Sequence, residues 1–238
     1  MRYYPLFLNL ADRRCIVAGL GDVGRRKCRG LLPAGPASIL LLDTAPLDAD
    51  FEREIAPLLQ AGRIAIARRV LADADLDGCF LVFAATGSRE ENQRIAALCR
   101  ARGVLCNVVD APASGDCIVP SLAVSGGLMA AFSTQGQSPA LARVVKHELA
   151  AALGKWAGLA QFLGLLRPAL LELGQPSSEN AVVFRSLLRE DLADALRRGD
   201  VPTALAIVRP LTPMAVHDGL ESMLAGSVTD SQPSGMSA

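Results

Sequence analysis

The chain carries no net charge, since Lys plus Arg and Asp plus Glu each number 24 among its 238 residues. A balance of that kind argues against nucleic acid as the main partner, because phosphate-binding surfaces carry a basic surplus. It also lacks any C-x-x-C pair among its six cysteines, at positions 15, 28, 79, 99, 106 and 117. Most of these stand inside apolar runs, where cysteine behaves as a small buried hydrophobe. Disulfide and zinc frameworks are both disfavoured, and a reducing, cytoplasmic setting is expected. The first residues lack the unbroken apolar core of a signal peptide, because Pro5 and Asn9 interrupt them and charge follows at Asp12. No run approaches the ~20 apolar residues that span a bilayer, so no membrane partner is expected. No internal repeat is found. What remains is a chain 51% hydrophobic and 20% charged, enough for a sizeable globular core.

The chain is organised around Cys15-Ile-Val-Ala-Gly-Leu-Gly-Asp-Val-Gly-Arg-Arg-Lys27. It reads as a buried strand, a glycine turn and a helix over 25–32 that ends at Gly35. Gly19, Gly21 and Gly24 have the G-x-G-x-x-G spacing of a dinucleotide-binding loop. Gly19 takes the tight turn, Gly21 lets backbone approach a pyrophosphate, and Gly24 brings helix and strand together. The pyrophosphate then rests on free N–H groups at the helix N-terminus. A second apolar run, Ser38-Ile-Leu-Leu-Leu-Asp43, closes on a carboxylate 24 residues after Gly19. An acid there accepts ribose hydroxyls and repels a 2′-phosphate, so it favours NAD over NADP.

Further elements follow in alternation. A helix is expected over 50–60, weakened by Pro57, then a strand over 64–67. Asp73, Asp75 and Asp77 resemble alternating metal ligands, but the later glycine and glutamate of a calcium loop are missing, and a solvated turn is expected. The apolar run at 79–85 is that of a central parallel strand, followed by a helix over 89–102 and a strand over 104–109. Such alternation implies a doubly wound parallel sheet with ligands at the carboxyl ends of its strands, where Thr86 and Asp110 also fall. Residues 5–10 suggest a short apolar edge segment. After Pro112 the pattern changes: runs at 118–124 and 128–134 flank Ser125-Gly126-Gly127 as a hairpin or a pair of crossing strands. Ser138-Pro139 then caps a helix over 140–153. Helices over 155–173, bending at Pro168, over 179–198 and from Pro202 complete the expectation, with a disordered Ser/Gly/Pro tail from 226 to 238.

Over roughly residues 1–215 the sequence resembles the precorrin-2 dehydrogenase module of the siroheme synthase family. The resemblance rests on Pro5-Leu-Phe, the glycine loop, Ala84-Ala-Thr86 with Asn92, and Cys106-Asn-Val-Val-Asp-Ala-Pro112. It rests also on Val119-Pro-Ser121 and Ser133-Thr-Gln-Gly-Gln-Ser-Pro-Ala-Leu-Ala-Arg143. It implies NAD-dependent oxidation of precorrin-2 to sirohydrochlorin, in some members with Fe²⁺ insertion to give siroheme. The implied architecture is α/β: an NAD-binding Rossmann domain (1–113), a small α+β dimerisation domain (114–153) and a helical C-terminal domain (154–225), assembled as a homodimer. Carried over by position, Asp22 and Val23 contact the cofactor beside the three glycines. Asp43 and Thr44 match the ribose position, and Thr86 the nicotinamide side. The resemblance implies that Asp110 is the catalytic base, where a cap before Pro112 is the other reading, and that Asn107, Ser133 and Arg143 lie on the substrate side. Lys146 and Arg25 are further candidates for the eight substrate carboxylates, while His147 and His217 give no metal signal. Leu20 stands where relatives often have glycine, and Thr134 where some have a second serine. Two other readings stay open: a dehydrogenase with chelation left to another protein, and an NAD-binding regulatory module such as that of a potassium-transport regulator.

Overall fold

A computed structural model describes residues 3–228. The chain divides after Val119 into two compact units. The first holds five parallel strands, β1 (Arg14–Ala18), β2 (Ser38–Leu42), β3 (Ile64–Ala67), β4 (Cys79–Ala84) and β5 (Leu105–Val108), in the order β3-β2-β1-β4-β5. Helices α1 (Asp22–Leu31), α2 (Ala49–Gln60) and α3 (Arg89–Arg102) connect them.

Alternation within the continuous apolar strands explains why both sheet faces are covered. Cys15, Val17, Ile39, Leu41 and Phe83 share one cluster with Cys28 and Leu31 of α1 and Phe51 and Ile55 of α2. Their neighbours Ile16, Ala18, Leu42, Val82 and Cys106 pack instead with Ile95 and Cys99 of α3. Caps set the helix limits. Asp48 accepts from Phe51 N (3.0 Å) and Ser88 from Glu91 N (3.2 Å), while α3 closes on left-handed Gly103. The first helix begins at Asp22, earlier than expected, because Gly21 itself is its cap. Residues 5–10 form no strand, and Tyr4, Leu6 and Phe7 stand exposed.

The acidic turn departs from expectation at one residue. Asp75 is only 8% exposed and accepts a forked pair of bonds from Arg69 (2.6 and 2.7 Å) and one from Ala72 N (2.8 Å). Asp73 and Asp77 pair with Arg102 of α3. Asp73 and Asp77 stay exposed as a solvated turn would have them, and only Asp75 departs from that expectation, buried because Arg69 and Ala72 N–H supply its bonds.

In the second unit an antiparallel hairpin, β6 (Ser121–Ser125) and β7 (Leu128–Phe132), turns at Gly126 and Gly127 and packs on α4 (Pro139–Glu172). That helix is unbroken over 34 residues where two were expected. Gly154 costs it about 1 kcal/mol relative to Ala; Ser125 Oγ of the hairpin lies 3.6 Å from where a Cβ would stand, an ordinary contact that does not itself require glycine. Pro168 is spanned by fully buried Leu166 and Leu170, which anchor both sides of it. Helices α5 (Ser177–Ser186), α6 (Glu190–Arg197), α7 (Val201–Val208) and α8 (His217–Ala225) follow. The single helix expected over 179–198 is divided because Leu187 turns into the core and Arg189 adopts an extended backbone, bonded through its side chain to Asp191.

By length and composition α4 is apolar enough to cross a membrane, contrary to the expected absence of such a run. Its Phe162, Leu166 and Leu170 are nonetheless buried with α6 and α8 residues such as Leu192, Leu196 and Leu220 in the core of this unit. The tail expected from 226 begins with packed residues, since Ser227 is buried and its hydroxyl donates to Met223 O (2.5 Å). The rest of it, 229–238, lies outside the described residues.

Candidate functional site

Parallel register brings four strand ends to one level. Ala18 is opposite both Leu42 and Ala84, and Ala84 is opposite Val108. The chain runs outward from β1 through β2 to β3, then crosses to β4 and β5 on the other side. The crevice therefore opens outside the carboxyl ends of β1 and β4, at the point where the direction of winding reverses. Gly19, Asp43, Thr86 and Asp110 each follow one of these ends within two residues.

The three glycines have separate causes. Gly19 adopts φ 91°, and a Cβ there would stand 2.5 Å from the Ala85 carbonyl carbon and Thr86 Cα. A Cβ on Gly24 would overlap the Gly19 carbonyl, whose carbon is 2.8 Å away. Both positions exclude a side chain by contact with backbone. Gly21 is different, because nothing described lies within 4 Å of a Cβ there. It caps α1 with no side-chain bond, leaving the first N–H groups of that helix open toward the space its missing side chain vacates. This arrangement fits a dinucleotide pyrophosphate.

Asp43 holds the turn in place. Its Oδ2 accepts from Leu20 N (2.5 Å) and its Oδ1 from Ala45 N (2.9 Å), while Gly19 N donates to Leu42 O (2.7 Å). Two bonds leave an ionised carboxylate with accepting capacity for ribose hydroxyls. Thr44 is exposed beside it, and Val23 is half-buried. Asp22 is turned outward and paired with Arg25 (2.5 Å), which also reaches Asp48 (3.3 Å).

On the other side of the crevice Thr86 and Asp110 are joined through Asn92, a residue to which sequence reasoning gave no role. Asn92 lies in the first turns of α3 and is 1% exposed. Its Oδ1 accepts from Thr86 N (3.0 Å) and Thr86 Oγ1 (2.7 Å). Its Nδ2 donates to Thr86 O (3.1 Å) and to Asp110 Oδ1 (3.0 Å). The advance signal was its place in the family resemblance beside Ala84-Ala-Thr86, which named the residue but not its partners.

Asn107, expected on the substrate side, is 5% exposed within β5. Its Nδ2 donates to Cys117 O (2.9 Å), and its Oδ1 has no partner among the described residues. Alongside it Asp116 exchanges bonds with Cys106, so residues 115–117 run down the open edge of β5. Asn107 thus lies below the surface and ties that segment to the sheet. Ser133 and Arg143 belong to the second unit. Ser133 Oγ accepts from Gln135 N (3.0 Å), and Arg143 is exposed on the first turns of α4, behind the Ser138 cap (Leu141 N to Oγ, 3.1 Å).

All six cysteines are free. Burial pushes the thiols of Cys15, Cys28 and Cys117 up to about 11 and that of Cys79 up to about 12, so none of these four is a thiolate nucleophile near neutrality.

The strand order, the glycine turn and the acid on β2 define the class, an NAD(P)-type dinucleotide-binding α/β fold followed by a second, mainly helical unit. A family model of NAD(P)-binding domains matches residues 6–121. Within that class the chain is similar to siroheme synthases. It is 37% identical to the siroheme synthase of Enterobacter sp. (strain 638) over 168 residues, 70% of this chain and 35% of that one. It is 35% identical to that of Escherichia coli O139:H28 over 202 residues, 84% of this chain and 43% of that one. The chain thus spans less than half the length of these relatives. A solved structure titled SirC, precorrin-2 dehydrogenase, shares the fold with a TM-score of 0.68 at 21% identity, covering 88% of this chain and 98% of its own.

Proposed function

We propose that the protein is an NAD-dependent precorrin-2 dehydrogenase of siroheme biosynthesis, giving sirohydrochlorin as product. The observation that carries this reading is an exposed carboxylate, Asp110, standing two strands from the dinucleotide turn, with β4 between them, at the same level of the sheet. Bound NAD⁺ supplies a hydride acceptor. The open N-terminus of α1 holds the pyrophosphate and Asp43 the ribose, with Thr44, Asp22 and Val23 bordering that seat. Thr86 lies on the nicotinamide side. Loss of a hydride from the substrate must be matched by loss of a proton, and Asp110 takes it. Asn107 supports the substrate side from beneath by holding residues 115–117; Ser133 and Arg143, on the second unit, are substrate-side candidates from the family resemblance alone, the guanidinium being suited to a substrate carboxylate.

A homodimer fits the second unit. In the hairpin and the first half of α4 the sole buried hydrophobic residue among those described is Ala123, while Met129, Leu141 and Val144 are each more than half exposed. A two-stranded hairpin without a core needs a partner surface, and a second copy supplies one. Sedimentation equilibrium is expected to give twice the chain mass.

The direct test is anaerobic. Precorrin-2 and NAD⁺ are added to purified protein, then Fe²⁺, and the visible spectrum is followed. An NAD⁺-dependent sirohydrochlorin spectrum supports the dehydrogenase. A further shift to the siroheme spectrum, faster than without enzyme, adds Fe²⁺ insertion at the same carboxylate, and no acceleration leaves chelation to another protein. Asp110→Ala is expected to lower kcat about 10²- to 10⁴-fold while NAD⁺ still binds. A regulatory module would show no turnover in either form.

A further inference from the structure

Asn92 is a buried amide whose every bonding position is used. Burying an amide is costly unless its bonds are made, and here all are made to two partners that flank the crevice. The orientation of the amide follows from those partners. Thr86 N can only donate, so the oxygen faces it, and Thr86 O can only accept, so the nitrogen faces it. The remaining N–H is thereby aimed at Asp110 Oδ1, which must act as an acceptor. A proton arriving at Asp110 is left to Oδ2. Thr86 is itself fixed from the opposite side, since its Cα lies against the space where a Gly19 side chain would be. Glycine turn, Thr86, Asn92 and Asp110 thus form one continuous set of contacts from the dinucleotide seat to the base.

We propose that Asn92 is a positioning residue of the dehydrogenase, fixing the Asp110 carboxylate relative to the strand end against which the dinucleotide turn is packed. The role rests on the functional reading above, and it assigns to the start of α3 a second task beyond packing. An unheld carboxylate on the exposed residue after β5 would sample several rotamers, and misplacement of a reacting group by about 1 Å can cost about 10²-fold in rate.

Asn92→Asp tests it, because the isosteric side chain keeps the acceptor for Thr86 N and replaces the donor with a second carboxylate facing Asp110. The expected result is a fall in kcat of about 10- to 100-fold and a shift of the acid limb of the rate profile by about one pH unit upward. NAD⁺ affinity by calorimetry is expected to stay within about threefold, while the melting temperature is expected to fall, because the new carboxylate oxygen is buried against Thr86 O and Asp110 without a donor. In the cofactor-free protein, the Asn92 side-chain amide resonances should move on Asp110→Ala. If Asn92→Asp does not fold, Asn92→Ala, which removes the donor to Asp110 altogether, should lower kcat while NAD⁺ remains bound. Wild-type kcat with an unmoved profile in the folded variant would overturn this role alone. So would a rate loss matched by equal loss of NAD⁺ binding, since that marks a structural effect. Absence of NAD⁺-dependent turnover in the wild type would overturn the functional reading, and this role with it.

Discussion

The two units place their candidate residues by different means. In the first, strand register sets the level of Gly19, Asp43, Thr86 and Asp110, and bonds between distant residues such as Leu20 to Asp43 and Asn92 to Asp110 fix their side chains and turns. In the second, Ser133 and Arg143 lie on a loop and on the first turns of a helix, and the bonds there are local: Ser133 to Gln135 and Ser138 to Leu141. The core of that unit gathers at the other end, around Phe162, Leu166 and Leu220. A rigid seat belongs to a cofactor that is bound the same way in every cycle. A surface tethered only locally suits a bulky substrate carrying many carboxylates, or a partner copy that completes it.

The difference can be broken first at Gly19. Gly19→Ala combines a strained φ with overlap against Ala85 and Thr86 backbone, so it should destabilise the first unit by about 3–5 kcal/mol and abolish NAD⁺ binding. Urea unfolding and calorimetry check both. Leu166→Ala is the counterpart in the second unit. It should cost about 3 kcal/mol in chemical unfolding, with NAD⁺ affinity unchanged if the seat is built by the first unit alone.

Asp75→Asn is expected to cost about 2 kcal/mol near neutral pH by weakening the forked bond from Arg69. The Arg69 guanidinium, with the Ala72 N–H, holds the Asp75 carboxyl below its ordinary range. The contribution is therefore complete above about pH 4 and is lost as pH falls through the lower folded value. The stability gap between wild type and variant should close in acid, and a gap independent of pH would refute the pairing as its cause. The mildest change, Gly21→Ala, meets open space. It should leave the unfolding free energy within about 1 kcal/mol of wild type yet weaken NAD⁺ binding about tenfold, or about 1.4 kcal/mol, because the new methyl would stand at the proposed pyrophosphate seat. Equal loss of stability at Gly19 and Gly21 would erase the distinction drawn between them.

Much of the first unit was legible because parallel strands buried on both faces read as unbroken apolar runs, and β3 and α3 fall on their expected limits. Glycine spacing likewise announces a turn whose steric demands are local. The second unit was read less well. Helix period alone does not say whether Pro168 ends a helix, since that depends on Leu166 and Leu170. Nor does it say where Leu187 must turn inward to reach the core. At the site, Asp110 was visible as an acid after a strand, but its partner was not, because Asn92 and Asp110 are 18 residues apart and meet only when α3 is laid across β4 and β5.

The amino-acid order by itself determined the dinucleotide turn, the sheet type and the carboxylates on its rim, since each follows from local sterics and a short hydrophobic period. Tertiary structure decided which of the three acids at 73–77 is buried, that Asn107 lies beneath the surface, and that one amide joins Thr86 to Asp110. Those outcomes depend on which strand ends stand level and which buried polar groups find partners, and both are settled by packing between segments far apart in the chain.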